Sequence, residues 1–412
     1  MNQLLASSDP LFAHGVTGVV LLIVLIKVLI GFAVIMGSVT IMIWFERKAI
    51  SDMQSRIGPQ RWGPFGIFQT LADGLKLIAK EDLVPAEANR FVFKLAPYLV
   101  LVPAFITFAL VPLGGTMHIA GHTVMLQVAN PPMGILLMLA MSGVSVYGVM
   151  LAGWSSGSKY PLLSSVRASA QMISYEAALG MTIVTIILAT GSLSTHNIVV
   201  AQAGGVWHWN IIRLGIVPFV VFLIAITAEL NRPPFDVVEA ESELVGGFNT
   251  EYSSIRFGIF YLAEFMNTIT MSAIIVTLFL GGPAGWVPNV PHLRWVFPIL
   301  WFVAKVTFFC FSYIWFRASL PRFRYDQVMD LGWKRLIPLS LGWMLIVAGF
   351  LIAPAWGFLM ASVVLLAWIV LTRAFELGQS REGGTRDAVL PTVGERPIPG
   401  RVIRRFTDGE QS

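Results

Sequence analysis

Six carboxylates lie within ELNRPPFDVVEAESELVGGFNTE, residues 229–251: Glu229, Asp236, Glu239, Glu241, Glu243 and Glu251, with Arg232 as their cation. If 237–244 is helical, Glu239 and Glu243 share a face and Glu241 points elsewhere. Carboxylates packed so closely cannot all ionise easily, so their titrations couple. Such a group takes up or releases protons as a nearby charge changes. An isolated acidic loop reads first as a solvated docking face. Here Glu176 in QMISYEAALG, Glu229 and Glu264 in YLAEFMNTI dip into adjoining apolar segments. A charge at mid-bilayer costs roughly 2.5–3.5 kcal/mol on insertion scales, and acids placed there favour proton conduction. Lys27 and Lys305 are the matching cations. Lys27 can snorkel outward, whereas Lys305, near the centre of its apolar run, reads as a buried ionic partner.

Apolar helices must hold these groups. The 412-residue chain is 56% hydrophobic and 12% charged, with a mean hydropathy of +0.74, outside the soluble globular range. Runs long enough to cross a bilayer fall at 17–45, 92–113, 133–153, 171–192, 212–230, 257–281, 296–316 and 336–353, with a ninth at 355–371. The fold class is therefore all-α, a polytopic membrane helical bundle of eight spans plus a ninth. The uncharged stretch 336–371 would be about 50 Å long as one helix, too long for one crossing, and Pro354 divides it. Residues 1–16 carry no basic n-region and the run that follows is too long for a signal-peptide core, so the first span is expected to be retained.

Lys and Arg set the orientation. Loop 46–91 carries Arg47, Lys48, Arg56, Arg61, Lys76, Lys80 and Arg90, while 114–132 carries none; Lys159 and Arg167 lie in 154–170, and none in 193–211. The acidic loop 231–256 has Arg232 and Arg256, and 317–335 has five basic residues against one in 282–295. This alternation turns the N-terminus outward and the four charged loops, with the polar tail 372–412, towards the cytoplasm. The tail's Gly, Pro and charge content reads as poorly ordered.

Cys310 is the only cysteine, which excludes an internal disulfide, a cysteine-ligated iron–sulfur cluster and a structural zinc site within the chain. All six histidines fall in the N-terminal segment or outer loops, which argues against a bis-histidine haem between spans. His118 and His122 have the i, i+4 spacing of a helical metal pair, but they sit in an alternating, strand-like stretch, and no metal site is expected.

In loop 46–91 two Gly-Pro pairs, Gly58-Pro59 and Gly63-Pro64, break the helix. Beyond them Phe68, Leu71, Ala72, Leu75, Ile78 and Ala79 share one helical face, and Gln69, Asp73, Lys76 and Lys80 the other. This segment should lie along the inner membrane surface. It is either a plain connection under the bundle or one lip of an opening for an amphiphile.

The stretches ERKAISDMQSRIGPQRWGP, GLKLIAKED, ISYEAALG, AELNRPPFDVVEAESELVGGFNTEYSS, LAEF and RASLPRFRYDQVMDLGWK occur in an order that resembles the H subunit of respiratory complex I, the proton-pumping NADH–quinone oxidoreductase. The resemblance covers roughly 46–335. It implies a subunit at the junction of the peripheral and membrane arms, with quinone as bound substrate and with flavin and iron–sulfur clusters in partner subunits. It places Glu46, Arg47, Arg56, Asp73 and Lys76 at the quinone chamber. Glu176, Glu229, Arg232, Asp236, Glu239, Glu241, Glu243, Glu251 and Glu264 fall on the proton path. Membrane lipids and other complex I subunits are the implied partners, with no nucleic acid, in a bacterial cell membrane. Two departures stand out: Gln60 where the family commonly has Asn, and a run beyond about 354 that exceeds the family's usual length. The corresponding subunit of a membrane-bound hydrogenase, a stand-alone proton or cation transporter, and a structural anchor remain alternatives on sequence.

Overall fold

The computed structural model describes residues 9–12, 15, 17–119, 122–237, 246–286 and 295–389. Glu239, Glu241, Glu243, all but the first residue of the expected helix over 237–244, His14, His292 and the tail from 390 lie outside the described residues.

The elements run α1 (Gly18–Met53), α2 (Gln69–Ala79), α3 (Arg90–Ala109), β1 (Thr116–Ile119), β2 (His122–Met125), α4 (Gly134–Ser155), α5 (Lys159–Thr190), α6 (Thr195–Ala201), α7 (Asn210–Arg213), α8 (Ile216–Glu229), α9 (Ser254–Phe279), α10 (Val296–Ser319), α11 (Tyr325–Leu331), α12 (Ile337–Ile352) and α13 (Pro354–Val389). Among the described residues eight helices are long and apolar enough to cross a membrane, α11–α12 counting as one through a π-helical turn at Gly332–Leu336. The shorter apolar α8 is the remaining expected span. The chain is a multi-pass membrane protein.

Local chemistry marks the helix ends. The Thr17 and Asn89 side chains accept from Val20 N and Val92 N, capping α1 and α3. Gly191 takes a left-handed conformation (φ 69°) to close α5. The two strands pair antiparallel with His118 opposite Thr123 and His122 opposite Ile119, so the two histidines are on a hairpin, as the alternating pattern suggested.

The core centres on α9, 72% of whose apolar stretch is buried, against 6% for α13. Tyr175 of α5, Phe222 of α8 and Ile275 of α9 belong to the largest apolar cluster. In α13, by contrast, Phe358, Leu365 and Val370 are all exposed.

Several boundaries depart from the sequence reading. Helix α1 continues through Glu46 and Arg47 to Met53, because charged residues such as these are good helix formers once the chain leaves the apolar run. Helix α5 begins at Lys159, so most of the expected loop 154–170 is helical. Helix α13 runs to Val389, so the polar tail does not begin as coil at 372.

Candidate functional site

Arg232 follows the end of α8, and 1% of it is exposed. Its Nη1 donates to Glu46 Oε2 of α1 at 2.9 Å, and its Nη2 lies 3.2 Å from Glu264 Oε1 of α9. The guanidinium also sits over the Phe265 ring, 4.9 Å from its centroid. Arg317, at the end of α10, holds the other oxygen of Glu46. Two carboxylates and two guanidiniums from four parts of the chain thus form one cluster. Burial disfavours the Arg232 charge, but Glu264 and Glu46 outweigh it and hold its pKa above the usual arginine value. Arg232 is a permanent cation.

The backbone around it is tightly specified. Gln171 of α5 donates from Nε2 to Ala228 O at 2.8 Å and Phe235 O at 2.9 Å, with Asn231 Oδ1 3.3 Å away. One buried amide therefore pins both ends of the turn carrying Arg232, with Asn231 at φ 50°. The basic loop folds over this turn: Phe323 N donates to Pro234 O, and Arg322 pairs with the buried Asp236 at 3.0 Å. Tyr175 O–H donates to Val328 O at 2.8 Å, fastening the loop to α5.

Glu229 is buried and accepts from Ser142 Oγ on α4, while its Oε2 has no hydrogen-bond partner. It lines a cavity of about 80 Å³ together with Glu264, Asn231, Asn249 and Asn267. A smaller pocket of about 20 Å³ adjoins, sharing Glu229 and Ser145. Glu176 approaches α4 one residue further on, its Oε1 3.6 Å from where a Cβ on Gly143 would stand.

Beyond the apolar run of α1, Arg47 pairs with Asp73, whose other oxygen accepts from Gln69 Nε2 at 3.1 Å, so α2 is tied to α1. Helix α2 presents its apolar stripe outward: Leu71, Leu75 and Ile78 are exposed. It meets α9 through Ser254 Oγ, whose one hydroxyl hydrogen lies between Lys80 O at 2.8 Å and Leu77 O at 3.0 Å. The preceding loop needs glycine at Gly66, where a Cβ would fall 2.4 Å from Pro59 O.

The structure therefore brings Glu46, Arg232 and Glu264 together, with Glu229 and Glu264 on one cavity and Arg47 with Asp73. Among the described residues it does not bring Arg56, Lys76 or Glu251 into the cluster: Arg56 reaches Gln54 Oε1, Lys76 is exposed, and Glu251 lies in the turn before α9. Lys305 is a correction. Its Nζ donates to Leu280 O, Gly282 O and Ala284 O at 2.7–3.0 Å and lies over Trp209. It neutralises carbonyl dipoles past the end of α9 rather than a carboxylate. Lys27, expected to snorkel, pairs with Asp9 at 3.6 Å.

A model of the NADH dehydrogenase family matches residues 26–348. The chain is 50% identical over 335 residues to the NADH-quinone oxidoreductase H subunit of Frankia alni, covering 80% of this chain and 72% of that one. It is 48% identical over 352 residues to the H subunit of Frankia casuarinae (84% and 76%), and 46% over 349 residues to H subunit 2 of Koribacter versatilis (82% and 99%). This chain belongs to the family of NADH-quinone oxidoreductase H subunits. As a complex I H subunit it is a membrane component of an enzyme complex, with the other complex I subunits as partners. The family match ends at 348, so α13 lies beyond it. Among the described residues no group of three or more His, Cys, Asp or Glu could hold a metal ion.

Sequence reasoning assigned no role to Ser142 or Gln171, and it read Arg317 as a topology signal or a holder of phospholipid headgroups or a neighbouring subunit's acids. Arg317 was absorbed into the basic count that orientation requires, and its pairing with Glu46, 271 positions away, leaves no local trace. Ser142 and Gln171 are polar residues in apolar helices, and that was the available signal.

Proposed function

We propose that this chain forms the lipid-accessible quinone chamber of the complex and the carboxylate path that couples quinone reduction to proton translocation. The observation that carries this reading is Arg232, fully buried between Glu46 and Glu264. The chamber is assigned to Glu46, Arg47, Arg56, Asp73 and Lys76, with the Arg47–Asp73 pair supporting one edge and Arg56 and Lys76 on the exposed rim. The path is assigned to Glu176, Glu229, Arg232, Asp236, Glu239, Glu241, Glu243, Glu251 and Glu264. The chain sits in a bacterial cell membrane with its N-terminus outward and its charged loops, divided as the sequence suggests, in the cytoplasm. Flavin and iron–sulfur clusters belong to partner subunits.

Two-electron reduction leaves negative charge on the quinone that protons must neutralise. In a low-dielectric surrounding, that charge acts strongly on a nearby carboxylate. Glu46 shares Arg232 with Glu264, so a change on the chamber side is felt on α9 without any long movement. From Glu264 the cavity leads to Glu229. Its volume exceeds the 10–15 Å³ or so that one water needs, and its lining offers carboxylates and amides to hold several.

The test uses the assembled complex in inverted vesicles. Glu264→Gln and Glu241→Gln should each lower NADH:quinone reductase activity and proton uptake together. Full wild-type rates of both in a fully assembled complex would overturn the coupling path.

A further inference from the structure

We propose that the groove between α1 and α10, floored by α9, is a binding site for one acyl chain of a membrane phospholipid. The groove encloses about 280 Å³. Its lips carry Val34 of α1 and Val303 of α10, 39% and 52% exposed, while Ala273 on its floor is 1% exposed. It therefore opens to the outside of the bundle and closes inside it. Ser38 and Met42 line the α1 wall, and Cys310 the α10 wall.

The helices part for a definable reason. Glu46 and Arg317 pin α1 to α10 at the charged end, and Phe45 meets Phe311 beside that bridge, ring centroids 6.2 Å apart. Above this point small side chains, Ser38 and Ala273, leave the walls without opposing atoms. Helices in a bilayer gain nothing by excluding hydrocarbon and associate through close packing. A gap between them forfeits dispersion contacts that a lodged chain restores.

Depth and charge identify the occupant. Val34 to Phe45 covers about 17 Å of helix, close to half of a hydrocarbon core roughly 30 Å thick. The groove thus matches the chain of a single leaflet. At its charged end Arg47 and Arg317 keep 42% and 37% of their side chains exposed beyond their ion pairs, where a phosphate headgroup would lie. The interfacial helix α2 packs on α1 and α9, whereas this groove is walled by α10.

The intact complex is reconstituted in phosphatidylglycerol–phosphatidylethanolamine vesicles containing a phospholipid with a photoreactive diazirine at mid-chain, then irradiated and peptide-mapped. The expected label on α9 and α10 around Ala273 and Val303 exceeds that on the exposed face of α13 near Leu366. Val303→Trp and Ser38→Phe, filling the groove from opposite walls, should each cut that label several-fold and leave the α13 label unchanged. Equal labelling of groove and α13 overturns the site, and the wild-type ratio decides this even if neither variant assembles. Loss of the groove label to excess long-tailed quinone reassigns the groove to a quinone tail and overturns the phospholipid.

Discussion

Arg232 and Lys305 are both anchored to α9, one beside Glu264 and the other just past the helix's far end. Arg232 is matched with carboxylates, Lys305 with the carbonyls of Leu280, Gly282 and Ala284. Around Lys305 the support is equally dipolar: Gln202 donates to Thr277 O, and Asn210 donates to Leu278 O at 2.7 Å. These groups close the last turn of a helix whose terminal carbonyls have no partners of their own. Carbonyls neither gain nor lose protons, so the partners of Lys305 are fixed dipoles. The Arg232 cluster instead sets two carboxylates, Glu46 and Glu264, around one cation. On the proposed reading, one bundle uses a cation as a clamp at one end and as a coupler at the other.

Removing Arg232 should separate the two ends most sharply. Arg232→Met leaves Glu46 and Glu264 facing each other with one buried cation gone, a loss of about 3–5 kcal/mol for a broken buried pair. Quinone-reductase turnover per assembled complex should fall more than tenfold, as read by activity normalised to native-gel band intensity. Next in size is the Glu46→Gln, Glu264→Gln double-mutant cycle. Because both acids share Arg232, the two losses should be non-additive by about 0.5–3 kcal/mol, and additive values would divide the cluster into independent pairs. Lys305→Met should cost about 1–3 kcal/mol through unsatisfied carbonyls. It should lower the melting temperature while leaving turnover and the proton-to-electron ratio of assembled complex unchanged; a lowered ratio would make the clamp a coupler after all. The smallest effects belong to the rim. Arg56→Gln and Lys76→Gln should leave stability within about 0.5 kcal/mol and raise the quinone KM slightly at constant kcat, which steady-state kinetics would reveal.

Hydropathy located the spans because hydrocarbon length leaves few alternatives: the expected 92–113 and 133–153 correspond to Arg90–Ala109 and Gly134–Ser155. It erred where charge and helix coincide. Glu46 looked like the end of a span, yet the helix continues and its partners bury the carboxylate. The acids of the cluster were legible one by one, since a carboxylate in an apolar run is conspicuous. Their pairing was not, because Glu46 and Arg232 lie 186 positions apart and meet only through tertiary packing. Lys305 shows the converse error. A buried cation was assumed to need an anion, when three backbone dipoles suffice.

Helix α8 has 14 residues, about 21 Å of length against roughly 30 Å of hydrocarbon. A helix that short leaves irregular backbone at its end, and the Arg232 turn is held there by protein, through Gln171 Nε2 and Phe323 N, rather than by lipid.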